Sequence, residues 1–251
     1  MSDTLHRRGT PSIAAPWIHV DRVPADGAAV PLDADAARHA AGARRLRDGD
    51  TVTLFDGEGL VADAMLVDRC RAARATSAPR RVAPAASTVV IAAALPKGDR
   101  AATMIDLATQ LGMDEFVPLR CERSVTTATE NGIARLERVA IEACKQSRRA
   151  WLPRFAPERT PAGALDDSAR AGATIVLADG AGGALDHGIA RPAARIVVLI
   201  GPEGGFAESE IAACIAAGAH RVSFGAHVLR IEAAVAAACA IVREACREDR
   251  D

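Results

Sequence analysis

From residue 17 to about residue 81 the apolar positions come in short runs broken by turn residues. Such spacing predicts strands at 17–20, at 51–55 after the turn Asp48-Gly49-Asp50, and at 60–67 after Asp56-Gly57-Glu58-Gly59. A helical stretch at 34–45 interrupts them, and the whole predicts a small β-barrel. Beyond residue 88 strand and helix patterns alternate. Strands are expected at 89–95, 115–119, 175–178, 196–200 and 221–224, with helices at 99–111, 133–147, 164–171, 208–217 and 231–248. Gly112 and Gly218 stand where two of those helices should stop. The runs 175–178 and 196–200 are apolar throughout, as strands of a parallel sheet covered on both faces require.

Between the two textures lies Ala83-Pro84-Ala85-Ala86-Ser87, a linker composition. The expected organisation is therefore a loose arm at 1–15, a barrel at 16–83 and an α/β domain at 86–251.

With 251 residues, 49% hydrophobic and 25% charged, the chain carries enough apolar material for a core and too much for disorder. No apolar run reaches the roughly 18 residues of a membrane span, and the first twenty residues carry Asp3, His6, Arg7, Arg8 and Pro11 without a signal-like apolar stretch, so a cytoplasmic protein is expected. The six cysteines are scattered, with no Cys-x-x-Cys pair and no clustered histidines, so no metal is expected. A net charge of -1 argues against coating nucleic acid through bulk positive charge, and any RNA contact falls to local clusters such as Arg44, Arg45 and Arg47.

The candidate chemistry lies late in the chain. Ile200-Gly201-Pro202-Glu203-Gly204-Gly205-Phe206 follows an apolar strand and leads into a helix, and its glycines let the backbone turn tightly and approach a ligand. In open α/β sheets ligands bind just past the carboxyl ends of strands. The loop lacks the Gly-Lys-Ser/Thr ending of a P-loop and the Gly-x-Gly-x-x-Gly fingerprint, so it is a poor phosphate cradle. A second loop, Gly225-Ala226-His227-Val228-Leu229-Arg230, follows the strand at 221–224 and runs into Ile231 and Glu232. If those two strands are neighbours, both loops line one pocket suited to adenine and ribose. Glu142, Gln146 and Arg149 are spaced to share one helix face, which meets either solvent or a partner.

Several segments resemble one family in order and spacing: residues 94–100 (Ala-Leu-Pro-Lys-Gly-Asp-Arg), Gln110-Leu111-Gly112, Glu122-Arg123-Ser124, Gln146-Ser147 with Arg149, 199–206, and Leu229-Arg230 with Glu232. They are similar to the ribosomal small subunit methyltransferase E family. The resemblance implies an α/β protein with an N-terminal PUA-like RNA-binding barrel and a C-terminal SPOUT domain whose last segments form a deep trefoil knot. Ordinary chain topology disfavours knots, so that feature comes from the resemblance alone. It further implies a homodimer that uses S-adenosyl-L-methionine, without metal, to methylate N3 of one uridine of 16S rRNA near the decoding centre of the small ribosomal subunit. Leu177, Leu199, Ile200, Gly201, Pro202, Glu203, Gly204, Phe224, Gly225, Val228, Leu229 and Arg230 are then expected at the cofactor. Arg44, Arg45, Arg47, Arg123, Gln146 and Arg149 are expected at RNA. Arg230 is the expected electrostatic stabiliser of an anionic uracil, with Glu232 or Glu203 as base. Ile231 and Ala233 stand where the family commonly carries threonines. Methylation of another RNA, or RNA binding without catalysis, are the alternatives.

Overall fold

The computed structural model describes residues 15–42, 45–190 and 193–246, so Arg44 and nearly all of the expected arm lie outside the described residues. The chain divides after Ala83 into two compact units.

The first unit contains β1 (Trp17–His19), β2 (Ala29–Pro31), α1 (Ala34–Ala41), β3 (Thr51–Phe55), β4 (Leu60–Val67), β5 (Ala72–Ala75) and β6 (Arg80–Arg81). The strands form one sheet in the order β1-β3-β4-β5-β2, with β6 on β4. Leu54, Leu66 and Ala73 are fully buried at its core. β2, β5 and β6 escape the sequence pattern because each is short and rich in alanine, proline or arginine. Helix α1 starts where Asp33 Oδ1 accepts a hydrogen bond from Ala36 N, and Gly42 caps it earlier than the expected end at residue 45. Asp68, Arg69 and Cys70 are consecutive left-handed residues between β4 and β5, an arrangement that L side chains disfavour. Asp48 holds it: its carboxylate accepts from Arg69 N and Cys70 N, both at 2.8 Å, and these two bonds keep its pKa below the usual carboxylate range.

The second unit contains β7 (Thr88–Ala94), α2 (Arg100–Gln110), β8 (Glu115–Leu119), α3 (Glu130–Ser147), β9 (Arg154–Phe155), α4 (Pro161–Arg170), β10 (Thr174–Gly183), α5 (His187–Ala190), β11 (Arg195–Ile200), α6 (Glu208–Ala216), β12 (His220–Val222) and α7 (Ile231–Ala245). Its six strands are all parallel, in the order β12-β10-β11-β7-β8-β9. Central β7 and β11 are buried along almost their whole length, which is why they read as unbroken apolar runs. β11 and β12 are not neighbours, contrary to the condition set on the sequence, because β10 lies between them. β10 is also longer than expected: its register on β12 slips between Ala178 and Gly183, and a Cβ on Gly182 would stand 2.6 Å from the backbone of Arg221 and Val222. Only glycine permits that approach. No helix among the described residues is long and apolar enough to cross a membrane.

At the amino edge of this sheet Asp114 gathers two arginines. Arg149 Nη2 donates to Asp114 Oδ1 at 2.7 Å, and its Nη1 donates to the carbonyls of Met113 (2.6 Å) and Thr109 (3.0 Å). Arg243 of α7 pairs with Asp114 Oδ2 and donates to Ser87 O at 2.7 Å and Gly112 O at 2.8 Å. Asp114 Oδ2 also accepts from Val89 N at 2.8 Å. This corrects the expectation that Arg149 meets RNA beside Gln146. Left-handed Arg148 (φ 57°) ends α3, so Arg149 leaves the helical stripe, and its guanidinium, with the side chain only 15% exposed, is committed to the protein.

Candidate active site at the carboxyl edge

The opposite, carboxyl edge of the parallel sheet carries the loops after β7, β8, β10, β11 and β12. The loops after β11 and β12, together with the second half of β10, line a cavity of about 300 Å³. Its wall has three kinds of surface. Ile200, Phe206, Phe224, Leu229 and Ile231 are apolar; Gly180, Gly201, Gly205 and Gly225 present backbone; Asp179, Glu203 and His227 present titratable groups. Although β10 separates the two expected loops, it ends beneath both and adds Asp179 and Gly180 between them.

Glycine is required locally for different reasons. A Cβ on Gly201 would come within 3.0 Å of the Phe206 ring, so the turn closes over Phe206 only without a side chain. At Gly180 and Gly205 nothing stands within 4 Å of the missing Cβ, so backbone faces open space there. Arg123 braces the loop after β11 from outside, donating to Gly204 O at 2.9 Å and Phe206 O at 3.3 Å. Glu210 does so from α6, accepting from Ala207 N at 2.8 Å and Glu122 N at 2.9 Å. That supplies half a capping box where Ala207 has no side-chain acceptor to offer.

Asp179 is fixed in the wall. Its Oδ1 accepts from Ala181 N at 2.9 Å and its Oδ2 from Arg221 Nε (2.9 Å) and Nη2 (2.7 Å). The backbone bond, then the guanidinium, hold its carboxyl below the usual range. Glu203 accepts from Arg100 Nη2 at 2.9 Å, and the same guanidinium stands 3.9 Å from Glu232 Oε2. Arg230 is the N-cap of α7, with extended backbone; its exposed side chain makes no hydrogen bond or ion pair with the described residues.

The structure thus brings Ile200, Gly201, Pro202, Glu203, Phe224, Gly225, Val228 and Leu229 to one cavity. Leu177 and Leu199 are wholly buried in the sheet beneath and do not line it. Gly204 lies against the Arg123 side chain instead. Arg45, Arg47 and Gln146 are exposed and make no side-chain bond to described residues. Asp179, Phe206, His227 and Arg100 were missed as site residues. The run Asp179-Gly180-Ala181-Gly182-Gly183 after an apolar strand was a third glycine-rich signal, and Arg100 closes the motif at 94–100. Burial pushes the thiols of Cys239 and Cys121 up to about 12, which leaves both inert in this setting.

Comparison with known proteins agrees across the chain. An RNA methyltransferase domain family matches residues 83–243, and an RNA methyltransferase PUA domain family matches residues 32–69. A ribosomal RNA small subunit methyltransferase E of Mycobacterium bovis is 32% identical over 92% of this chain and 92% of its own length. A protein of the same name from Synechocystis is 33% identical over 74% of this chain and 63% of its own. The crystal structure of ribosomal RNA small subunit methyltransferase E from Neisseria gonorrhoeae bound to S-adenosyl methionine superposes with a TM-score of 0.82, at 27% identity, over 92% of this chain and 97% of that one. Two domain matches in the expected order, a relative 32% identical over 92% of both chains and a shared fold place the chain in the ribosomal RNA small subunit methyltransferase E family.

Proposed function

We propose that this chain transfers the methyl group of S-adenosyl-L-methionine to N3 of one uridine in 16S rRNA, near the decoding centre of the small ribosomal subunit, and does so as a homodimer whose late segments form the knot of SPOUT proteins. The observation that carries the reading is the cavity at the carboxyl edge of β10, β11 and β12. Its apolar side chains and bare glycine backbone suit a flat adenine ring and a ribose. When bound, the cofactor supplies a methyl carbon already made electrophilic by its sulfonium.

The chain's own residues have two tasks: to align the base and to manage its proton. Uracil N3 carries hydrogen and is a weak nucleophile until that proton leaves, so the site needs an acceptor and a cation that stabilises the anionic ring. Arg230, between cavity-lining Leu229 and Ile231, has no partner among the described residues and serves as the cation; Glu203 and Glu232 are the candidate acids at the same edge. Arg45, Arg47 and Gln146, exposed and without side-chain partners among the described residues, position RNA through its backbone, and Arg123 adds the donors it does not spend on Gly204 and Phe206.

The deciding experiment maps modified nucleotides by mass spectrometry in 16S rRNA from cells lacking this protein and from cells in which it is restored. One N3-methyluridine lost and regained is the expected result. Unchanged 16S rRNA with a methyl lost from another RNA would overturn the target.

A further inference from the structure

One charged group at the carboxyl edge is left without a structural account. Glu232 sits in the first turn of α7, one residue beyond cavity-lining Ile231, with its side chain 15% exposed. Its Oε2 is buried and has no hydrogen-bond partner among the described residues. A buried carboxylate oxygen without a donor is costly and rare, and one beside a ligand cavity marks a place where a donor arrives with the ligand. Arg100, at the first turn of α2, is the nearest cation, yet it gives its hydrogen bond to Glu203 at 2.9 Å and stays 3.9 Å from Glu232. The two acids therefore differ. Glu203 already accepts a charge-assisted bond and is 37% exposed, whereas Glu232 is sheltered from water and keeps an oxygen open.

We propose, on the uracil-N3 reading above, that Glu232 rather than Glu203 accepts the N–H of the target base. Arg100 is then a positioning residue: its guanidinium is shared between the two carboxylates, so it holds Glu232 in place without filling the open oxygen. In this step the N3–H bond breaks, the proton passes to Glu232 Oε2, and the electron pair stays on N3 as the nucleophile. The carboxylic acid afterwards returns its proton to water.

The test uses the full chain and the variants Arg100→Gln, Arg100→Lys, Glu232→Gln, Glu203→Gln and the double variant Arg100→Gln/Glu232→Gln. With small subunits from cells lacking the protein, Glu232→Gln and Arg100→Gln should each lower kcat about 10- to 100-fold, with Arg100→Lys recovering part of the loss. Glu203→Gln, in the cavity wall, should act instead on cofactor affinity measured by calorimetry. The double variant should be no slower than Glu232→Gln alone, since Arg100 acts through Glu232. Urea unfolding of the cofactor-free protein gives a readout independent of turnover: Arg100→Gln should lower the midpoint and adding Glu232→Gln should restore it. Multiplying losses in the double variant, a kcat unchanged in Arg100→Gln, or Glu203→Gln falling in kcat as far as Glu232→Gln would overturn the assignment. Methylation by the wild type at an atom other than uracil N3 would remove Glu232 as acceptor, while the unfolding cycle would still decide whether Arg100 is tied to it.

Discussion

The two edges of the parallel sheet use the same residue types in opposite ways. At the amino edge Arg149, Arg243 and Asp114 form a closed set: each guanidinium is spent on carbonyls and on one carboxylate, and the side chains are 15%, 19% and 25% exposed. At the carboxyl edge Arg230 has no partner among the described residues, Arg100 is divided between two acids, and Glu232 has a buried oxygen with nothing bound. Satisfied ion pairs tie α7 to the starts of β7 and β8, while the carboxyl edge keeps charged groups that no described residue satisfies. A charge that is already neutralised contributes to folding, and one left open contributes to binding or chemistry, because the same desolvated group cannot do both at full strength.

That contrast can be broken at either edge. The largest effect is expected at the closed set. Asp114→Ala strands two sheltered guanidiniums and should lower unfolding free energy by about 3–5 kcal/mol, measured by urea denaturation. A loss under about 1 kcal/mol would mean the clasp is dispensable. At the open edge Arg230→Ala should do the reverse. We expect kcat to fall about 10²- to 10³-fold, or about 2.7–4 kcal/mol of transition-state stabilisation, with stability within about 0.5 kcal/mol of wild type. Wild-type rates in that variant would remove Arg230 from the mechanism.

A smaller change probes the cavity wall itself. Gly201→Ala places a methyl group 3.0 Å from the Phe206 ring, so the ring or the loop must shift. Cofactor affinity should weaken about tenfold, or about 1.4 kcal/mol, by calorimetry. The smallest effect concerns acid. The carboxyl of Asp179 is held below its ordinary 3.8 by Ala181 N and Arg221, so its contribution to stability is present above that value and is lost as pH falls through the lower folded-state value. Asp179→Asn should therefore lower stability at pH 7, with the difference from wild type shrinking as pH falls below about 4, so that the acid side of its stability profile is flatter. An unaltered acid limb would show that the Asp179–Arg221 pair contributes nothing there.

Much of this was legible along the chain. β3, β4 and β8 fall on their expected bounds, and α2, α6 and β11 within a residue of them, because unbroken or alternating apolar runs and the glycines after helices are local signals. The loop after β11 was legible for the same reason. What failed were features with no local signature. β9 is two residues long and exists only because β8 offers an edge. β10 reads to residue 178 in the sequence, but its last residues owe their conformation to the close approach of Gly182 to the backbone of Arg221 and Val222.

Arg149 shows the limit most plainly. Helical spacing put it beside Gln146, whereas one left-handed residue before it sent it to Asp114. The amino-acid order alone determined the long strands and helices, the change of texture near residue 83 and the glycine-rich turn after β11, since each depends on residues within a few positions of one another. Only the tertiary structure decided that β10 separates β11 from β12, that Arg100 is shared by Glu203 and Glu232, and which arginines are closed and which are open. Those depend on groups far apart in the chain, and a side chain's partner is chosen by the packing that brings it within a few ångströms.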